Sequence, residues 1–254
     1  MVISRGEKVY LAAVYALLGV VSAVAVFPML YVFAVSLTPY EEMLRQGGFV
    51  LIPRSVTLSA YRAFLLDPLI PGAYRVTVFV TVVGTAINLA VTMLMAYALS
   101  KKKLPGRSFF LLAVLFTMLF GGGIIPTYLI VKATGLLDTL WAMIIPNTVS
   151  AFNMLIMKTF FENLPPDLEE SAKMDGAGDV RIFARIVIPL SLPSLATIGL
   201  FYAVTNWNVF FSAIMYLRDP KKYPLQVVLN RILKAAEMPE VQLEQVLPTH
   251  TMQM

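Results

Sequence analysis

Residues 76–99 read VTVFVTVVGTAINLAVTMLMAYAL, a run that contains no charged side chain. A helix needs about 20 apolar residues to cross the hydrocarbon core of a bilayer. That core offers no partner for free backbone N–H and C=O groups, so a run of this kind crosses the membrane as a helix. The stretch therefore predicts an all-α membrane protein.

Four other apolar stretches are long enough, or nearly so, to span the bilayer. The fourth span in chain order is the weakest, because it is short and carries Pro146, Asn147 and Asn153. No repeat or linker separates soluble domains, so we expect a single transmembrane domain over residues 1–254 of a polytopic helical protein. The predicted spans cover about residues 10–36, 76–99, 109–129, 141–157 and 195–217.

The composition of the whole chain agrees with this class. Apolar residues make up 58% and charged residues 14%, whereas soluble domains carry about a quarter charged residues. The net charge of +5 is spread over loops, and nucleic-acid binding would need a basic face, so we expect a lipid bilayer and no nucleic acid as partner. The lack of cysteine excludes disulfides and thiol catalysis, and a lone His250 predicts no metal site.

The short loop after the second span sets the predicted orientation. Lys101–Lys103 and Arg107 crowd this connection, and the positive-inside rule places such a loop in the cytoplasm. Alternation of the spans then puts the N-terminus and residues 158–193 inside, and residues 37–75 and those from 218 onward outside.

The first span has an alternative interpretation as a signal peptide. Arg5 and Lys8 precede the apolar run, and Ala23–Ala25 resembles a cleavage site. Apolar residues continue through Leu30–Phe33, which is too long for a typical signal-peptide core. We therefore expect an uncleaved helix.

The loop between the fourth and fifth spans predicts a short helix that ends in a sharp turn. Pro165 and Pro166 stop a helix that runs in from the membrane, and Asp167 is a good N-cap with Glu170 three residues on. Gly176 can take the left-handed conformation that ends this helix.

A second helix is expected directly after the turn. Asp179 can cap it, and it runs to Pro189 with Ile182, Phe183 and Ile186 along one face. The residues alone leave two interpretations open: an amphipathic elbow at the membrane surface, or a docking site for another protein.

This loop resembles the signature of permease subunits of binding-protein-dependent ABC importers, which reads Glu-Ala-Ala, three residues, Gly, nine residues, Ile-x-Leu-Pro. The chain has Glu170-Ser171-Ala172, then Gly176, then Ile186–Pro189, with both spacings intact. Ser171 and Ile188 depart from the pattern by small changes of similar size.

Shorter motifs elsewhere resemble the carbohydrate-importer subgroup, typified by the second permease of maltose transport, and within it the members that serve complex sugars. They are Asp175–Ala177, Ile125–Tyr128, Gly135–Thr139 and Asn206–Asn208. The resemblance thus covers nearly the whole chain and implies the type I importer permease fold.

The resemblance also implies a function and partners. The loop would be a coupling helix that docks on a separate ATP-binding subunit, which would hold ATP and Mg²⁺, with no cofactor in this chain. A second, related permease would complete a heterodimer in the bacterial inner membrane, and an extracytoplasmic binding protein would deliver a sugar or oligosaccharide. The residues implied in coupling are Glu169, Glu170, Ser171, Ala172, Asp175, Gly176, Ala177, Ile186 and Pro189.

The residues themselves argue against chemistry by this chain. No Gly-x-x-x-x-Gly-Lys-[Ser/Thr] motif occurs, and no paired carboxylates or Ser/His/Asp set falls on a shared face, so we expect no enzyme activity. Gly121–Gly123 lacks the lysine of a phosphate loop and indicates a helix break, with a flexible gate element as the alternative.

Polar residues inside the apolar spans are the candidates for a substrate pathway, since such residues are costly and often functional. They are Asn88, Asn153, Asn206, Trp207 and Asn208. The alternative for the asparagines is hydrogen bonding between membrane helices, and for Trp207 it is plain packing.

Relatives carry a further span where this chain stops, so we expect a C-terminally truncated subunit. Two other functions stay open. The chain could be a permease for a non-sugar solute, or a membrane scaffold or channel without ATPase coupling.

Overall fold

The computed structural model describes residues 5–45 and 47–237, and every regular element in these ranges is a helix. The all-α class predicted from the sequence is confirmed. His250 lies outside the described residues. The contacts divide the chain into two compact units at Pro68, so a single membrane domain over the whole chain stays a prediction.

The first unit begins with α1, Arg5–Ser36, which covers the first predicted span and continues past Ala25 without a break. Helices α2, Tyr40–Arg45, and α3, Ser59–Leu66, follow. Between them, the carboxylate of Glu42 accepts hydrogen bonds from the hydroxyl of Ser55 and from the backbone N–H of Arg54. The Ser55 hydrogen bond, followed by that of Arg54, lowers the pKa of Glu42.

The second unit contains eleven α-helices within its described residues. They are α4 Leu69–Ser100, α5 Arg107–Leu119, α6 Ile124–Ala133, α7 Trp141–Ile144, α8 Ala151–Glu162, α9 Pro166–Met174, α10 Asp179–Ile182, α11 Ile188–Leu190, α12 Leu192–Trp207, α13 Phe211–Tyr216 and α14 Leu225–Glu237.

Helix α4 covers the second predicted span and is the helix against which α8, α12 and α14 pack. Its first half contacts α7 and α14 around Val80, Met143 and Val227. Its second half packs against α8 and α12 around Ala96, Met154 and other buried apolar residues. Together α1 and α4 are the two helices, among the described residues, that are individually long and apolar enough to cross a membrane.

The third predicted span, over residues 109–129, is divided between two helices. Helix α5 ends at Leu119 and α6 begins at Ile124, with a bend of 117° between them. The break falls on Gly121–Gly123, where Gly123 has a φ of +82°, a conformation that glycine adopts without strain. The predicted helix break is confirmed.

The fourth predicted span is also divided. After α7 the chain forms a 3₁₀ turn over Ile145–Asn147, and α8 restarts at Ala151 and runs to Glu162. Pro146 explains the interruption, because its ring lacks an N–H and collides with the preceding turn of a helix. Ser150 caps the new helix by accepting from the backbone N–H of Asn153 at 3.4 Å.

The fifth predicted span begins three residues earlier than expected and ends at Trp207. Asn208 terminates α12, with both its backbone N–H and its side-chain amide donating to the carbonyl of Val204. Asparagine competes with helix hydrogen bonds in this way, and α13 therefore forms as a separate short helix.

Helix α14 lies in a segment that the sequence analysis treated only as an external loop. Val227 and Val228 are buried, whereas Arg231 and Lys234 are exposed. The spacing of its apolar residues is that of an amphipathic helix, and this pattern is visible in the sequence.

Candidate functional site

The loop between α8 and α12 folds into two helical segments joined by a tight turn; we call residues 163–191 the elbow. At the turn the N–H of Gly176 donates to the carbonyl of Lys173 at 3.0 Å, and the N–H of Ala177 donates to that of Ala172 at 2.9 Å. These paired bonds with a left-handed Gly176, φ +79°, form a Schellman motif. The predicted end of the first helix at Gly176 is confirmed.

The predicted cap of the first elbow helix is wrong by two residues, and that of the second is wrong by one. Helix α9 begins at Pro166, with Pro165 at the N-cap, so Asp167 lies in the first turn. Proline is well suited to the first helical position, because that position needs no N–H donor. Gly178 precedes α10, so Asp179 is its first residue and not its cap.

The second elbow helix is continuous from Asp179 to Leu190, with a π-helical stretch over Phe183–Val187. The wider turn precedes Pro189, whose ring a regular α-helix would not accommodate. Ile182 is fully buried, while Phe183 and Ile186 are half-buried against the same apolar cluster. The predicted apolar face is confirmed, and the helix ends one residue beyond Pro189 with an 82° bend into α12.

The residues expected to contact an ATPase separate into two groups. One group holds the elbow onto its own chain: Glu169, Ala172, Ala177 and Ile186 are half-buried. The other faces outward: Glu170, Ser171, Asp175, Gly176 and Pro189 are exposed.

Two large apolar side chains extend the outward surface of the elbow, and the sequence analysis missed them. Met174 is 88% exposed and Val180 82% exposed, one on each side of the turn. The signal in the sequence is a large apolar side chain on the polar face of a short helix, which indicates an interaction surface.

Ion pairs connect the elbow region with the loop between α4 and α5. Lys101 pairs with Glu169, and Arg107 pairs with Glu162 at the end of α8, which also binds Lys158 at 2.8 Å. The Lys-rich loop and the elbow therefore lie on the same side of the helices, as the alternation of spans requires.

A cleft of about 800 Å³ opens between α4, the break before α8, and α12. Three of the predicted pathway residues, Asn88, Asn153 and Asn206, line it and are buried. Asn147, Ser150, Tyr202 and Thr205 also line it, together with Phe152, Phe201 and other apolar residues. The charged residue types Asp, Glu, Lys and Arg do not occur among its lining residues.

Asn88 and Asn206 also form hydrogen bonds to other segments of the chain. A place in the substrate pathway and a role in connecting helices are therefore compatible for these two residues. The amide of Asn206 donates to the hydroxyl of Thr85 at 3.2 Å, next to Gly84 on α4. The amide of Asn88 donates to the carbonyl of Asn147 at 3.4 Å, and its Oδ1 is buried without a hydrogen-bond partner among the described residues.

Tyr202 is a cleft residue that the sequence analysis missed. Its hydroxyl accepts the backbone N–H of Ser150 at 3.0 Å and lies 2.7 Å from Oγ1 of Thr92. It thereby ties α12 to both α8 and α4. A tyrosine in an apolar span gives no local signal of such a role.

Trp207 and Asn208 are not among the residues that line the cleft, in contrast to the grouping expected from their sequence. Trp207 packs edge to face on Tyr74, with ring centroids 5.9 Å apart. Asn208 is exposed, and its Oδ1 accepts from the amide of Gln226 at 3.2 Å.

A second polar cluster surrounds Asp138, within the predicted Gly135–Thr139 motif. Its Oδ1 accepts from the backbone N–H groups of Arg218 and Asp219, and its Oδ2 lies 2.9 Å from Nζ of Lys222. The Lys222 hydrogen bond, aided by the two backbone donors, lowers the pKa of Asp138 to about 2. Asp138 has a positive φ of 56°, so this network stabilises a conformation that non-glycine residues rarely adopt.

Comparison with known proteins assigns the chain to a family. Residues 104–247 match the model of the binding-protein-dependent transport system inner membrane component. The chain belongs to this family. It is therefore an integral membrane protein of a transport system, as the elbow signature predicts.

Individual relatives and a solved structure agree with this assignment. The chain is 49% identical over 220 residues to the polygalacturonan/rhamnogalacturonan transport system permease protein YtcP of Bacillus subtilis, covering 87% of this chain and 77% of that one. It is 30% identical over 194 residues to the trehalose transport system permease protein SugB of Mycobacterium tuberculosis, covering 75% and 70%.

The fold has a counterpart in the crystal structure of a bacterial ABC transporter involved in the import of the acidic polysaccharide alginate. The TM-score is 0.88 at 36% identity, covering 96% of this chain and 87% of the other. This likeness confirms the importer permease fold that was expected from the elbow signature.

Proposed function

We infer that this chain is the membrane-spanning permease subunit of an ATP-driven importer for a sugar or oligosaccharide. The observation that carries the proposal is the elbow, a short capped helix with an exposed face between α8 and α12, in a chain of this family. The names of the relatives, which include permease proteins of a polygalacturonan/rhamnogalacturonan and of a trehalose transport system, support a carbohydrate as the substrate.

The exposed face of the elbow suits docking on an ATPase subunit. Glu170 offers a charge, Met174 an apolar contact, and Gly176 a surface free of side chain at the turn. The Schellman motif fixes the angle between α9 and the second elbow helix, so a push on the turn moves both. ATP and Mg²⁺ belong to the ATPase, which drives a switch between two packed states of the permease.

The predicted orientation of the spans indicates which side of the membrane each partner occupies. With the Lys-rich loop inside, the N-terminus and the elbow face the cytoplasm, and the segments after α1 and α12 face the binding protein. A second, related permease completes a heterodimer around the pathway.

The cleft is the part of this chain that we assign to the pathway. Buried amides such as Asn88 and Asn153 are costly against lipid, which favours a position facing the partner permease over one facing the bilayer. Amides and hydroxyls are hydrogen-bonding groups that suit sugar hydroxyls, and the rings of Phe152 and Phe201 are apolar surfaces for the faces of a sugar ring.

The test is to co-express the subunit with its ATPase, partner permease and binding protein, and to isolate it through a tag. We expect the ATPase to copurify, and replacement of Glu170 and Gly176 together to abolish copurification and uptake of radiolabelled oligosaccharide. Replacement of exposed Lys102 serves as the control. Failure of the ATPase to copurify with the unaltered subunit would contradict the proposal.

A further inference from the structure

The two adjacent glutamates of α9 have different environments. Glu170 is exposed, and within the described part of the chain it has no ion-pair partner. Glu169 has a side chain only 21% exposed and binds Nζ of Lys101 with both carboxylate oxygens. Neighbouring residues of a helix point about 100° apart, so one glutamate faces outward and the other faces its own chain.

The partner of Glu169 is held in place by aromatic packing. Nζ of Lys101 lies 4.1 Å from the centroid of the Tyr97 ring, within the range of a cation–π interaction. The centroid of the same ring lies 4.8 Å from that of Phe183 on the second elbow helix and 6.2 Å from that of Phe161 on α8. The end of α4 and the residue that follows it thus contact both elbow helices: Lys101 forms the ion pair with α9, and the ring of Tyr97 contacts Phe183.

The loop that carries Lys101 is fixed at its other end. Nε of Arg107 donates to the carbonyl of Leu99 at 2.8 Å, and its guanidinium also pairs with Glu162. Lys101 therefore lies in a short loop that is held at both ends, by α4 and by the contacts of Arg107. A displacement of Glu169 should then move α4 and not only the loop.

We propose that Glu169 is a positioning residue that, with Lys101, ties the first elbow helix to the end of α4. The proposal rests on the proposed function, because it concerns how the elbow passes on the ATP-driven movement. Displacement of the elbow moves α4 together with α8 and α12. We call the Glu169–Lys101 ion pair the clamp. Asn88 in the cleft lies nine residues before Tyr97, about 14 Å along the same helix, so the clamp connects the exposed face of the elbow to the cleft.

Charge reversal tests this assignment in the complete transporter, reconstituted with binding protein in liposomes. The readout is the number of ATP molecules hydrolysed per oligosaccharide taken up. We expect Glu169→Lys and Lys101→Glu each to raise this ratio about fivefold, a change typical of a modest coupling between sites. The double variant, in which the opposite charges face each other again, returns to within about twofold of the unaltered ratio.

A matched control uses the neighbouring lysine, which is exposed and has no ion-pair partner in the described chain. Lys102→Glu alone leaves the ratio unchanged, and combined with Glu169→Lys it brings no rescue. If the Lys101→Glu, Glu169→Lys double variant is as impaired as Glu169→Lys alone, Glu169 binds a group outside this chain and the clamp is refuted. Single variants with an unchanged ratio refute it as well.

A separate measurement distinguishes failure of the clamp from failure of the proposed function. The chain has no cysteine, so Lys101→Cys with Glu169→Cys gives a unique pair for a short thiol cross-linker in native membranes. Cross-linking supports the clamp, and its absence overturns it. Copurification of the ATPase with the unaltered subunit decides the proposed function independently.

Discussion

The contact between Gly84 on α4 and Asn206 on α12 offers a quantitative test of the packing around the cleft. A Cβ atom added at Gly84 would lie 2.9 Å from Nδ2 and 3.3 Å from Cγ of Asn206. The buried amide must then rotate away and lose its 3.2 Å hydrogen bond to Thr85. Gly84→Ala is therefore expected to destabilise the helix pair.

The change in stability caused by Gly84→Ala is the sum of opposing contributions. Replacing a helical glycine by alanine contributes about 0.5–1 kcal/mol of stability through the backbone. A hydrogen bond between membrane helices contributes about 0.6 kcal/mol on average, and an unsatisfied buried amide costs about 1–3 kcal/mol. The net effect of Gly84→Ala is a loss of about 1 kcal/mol.

Gly199 on α12 supplies the matched control. A Cβ there meets only Cδ2 of Leu89 at 3.7 Å, an ordinary van der Waals contact. Gly199→Ala should therefore gain up to about 1 kcal/mol, which leaves the two variants about 2 kcal/mol apart. The assay is equilibrium unfolding of the purified subunit in mixed micelles, followed by circular dichroism.

A double-mutant cycle identifies the cause. In an Asn206→Ala background the side chain that obstructs the new Cβ is absent, so Gly84→Ala should no longer destabilise. Equal effects of Gly84→Ala and Gly199→Ala, or an unchanged effect of Gly84→Ala in the Asn206→Ala background, would refute the argument.

Three other perturbations have defined outcomes. Gly176→Val should cost about 1–2 kcal/mol at the elbow turn through backbone strain alone and lower both uptake and ATPase copurification, with Gly176→Asn intermediate because asparagine tolerates a positive φ. Tyr202→Phe should destabilise the subunit by about 1–3 kcal/mol in unfolding experiments, since the N–H of Ser150 loses its acceptor. Asp138→Ala should expose the adjoining loops to protease. Because the pKa of Asp138 is lowered from 3.8 to about 2, the contribution of its pair with Lys222 is complete above about pH 4 and is lost only as the pH falls through 2, so protease resistance should not change between pH 7 and pH 5.

Each of these has an internal comparison. Gly178 has a φ of −75° and open space around it, so an effect of Gly178→Val as large as that of Gly176→Val would contradict the strain argument. Tyr128→Phe removes a half-buried hydroxyl that makes no hydrogen bond within the described part of the chain, and should be neutral. Asp138→Asn keeps a side-chain oxygen that accepts from the backbone N–H groups of Arg218 and Asp219. If this variant resists protease no better than Asp138→Ala, these backbone hydrogen bonds do not stabilise the loops.

The elbow shows how far local sequence patterns reach. The end of α9 at Gly176 follows from one glycine and its hydrogen-bonding neighbours, and the apolar face of the second helix follows from the spacing of Ile182, Phe183 and Ile186. The N-cap of α9 was misplaced by two residues. Pro166 suits the first helical position and Asp167 suits a cap, and the local pattern does not decide which of the two sets the start of the helix.

The broken spans show the opposite limit. Gly121–Gly123 and Pro146, which interrupt the backbone hydrogen bonds within 109–129 and 141–157, are visible in the sequence, but the 117° bend between α5 and α6 is not. Apolar composition reports which residues avoid water, and it does not report the direction in which a helix continues after a break.

By itself, the sequence determined the all-α membrane class, the family signature and the approximate positions of the helices, because each depends on residues close together along the chain. The tertiary structure alone decided which polar residues meet. Lys101 and Glu169 are 68 residues apart, and Asn206 and Thr85 are 121 apart. It separated Asn88, Asn153 and Asn206 from Trp207 and Asn208, and it turned Glu169 inward and Glu170 outward. Those assignments depend on how α4, α8 and α12 pack, and packing is set by side-chain shape across distant segments, which no local pattern encodes.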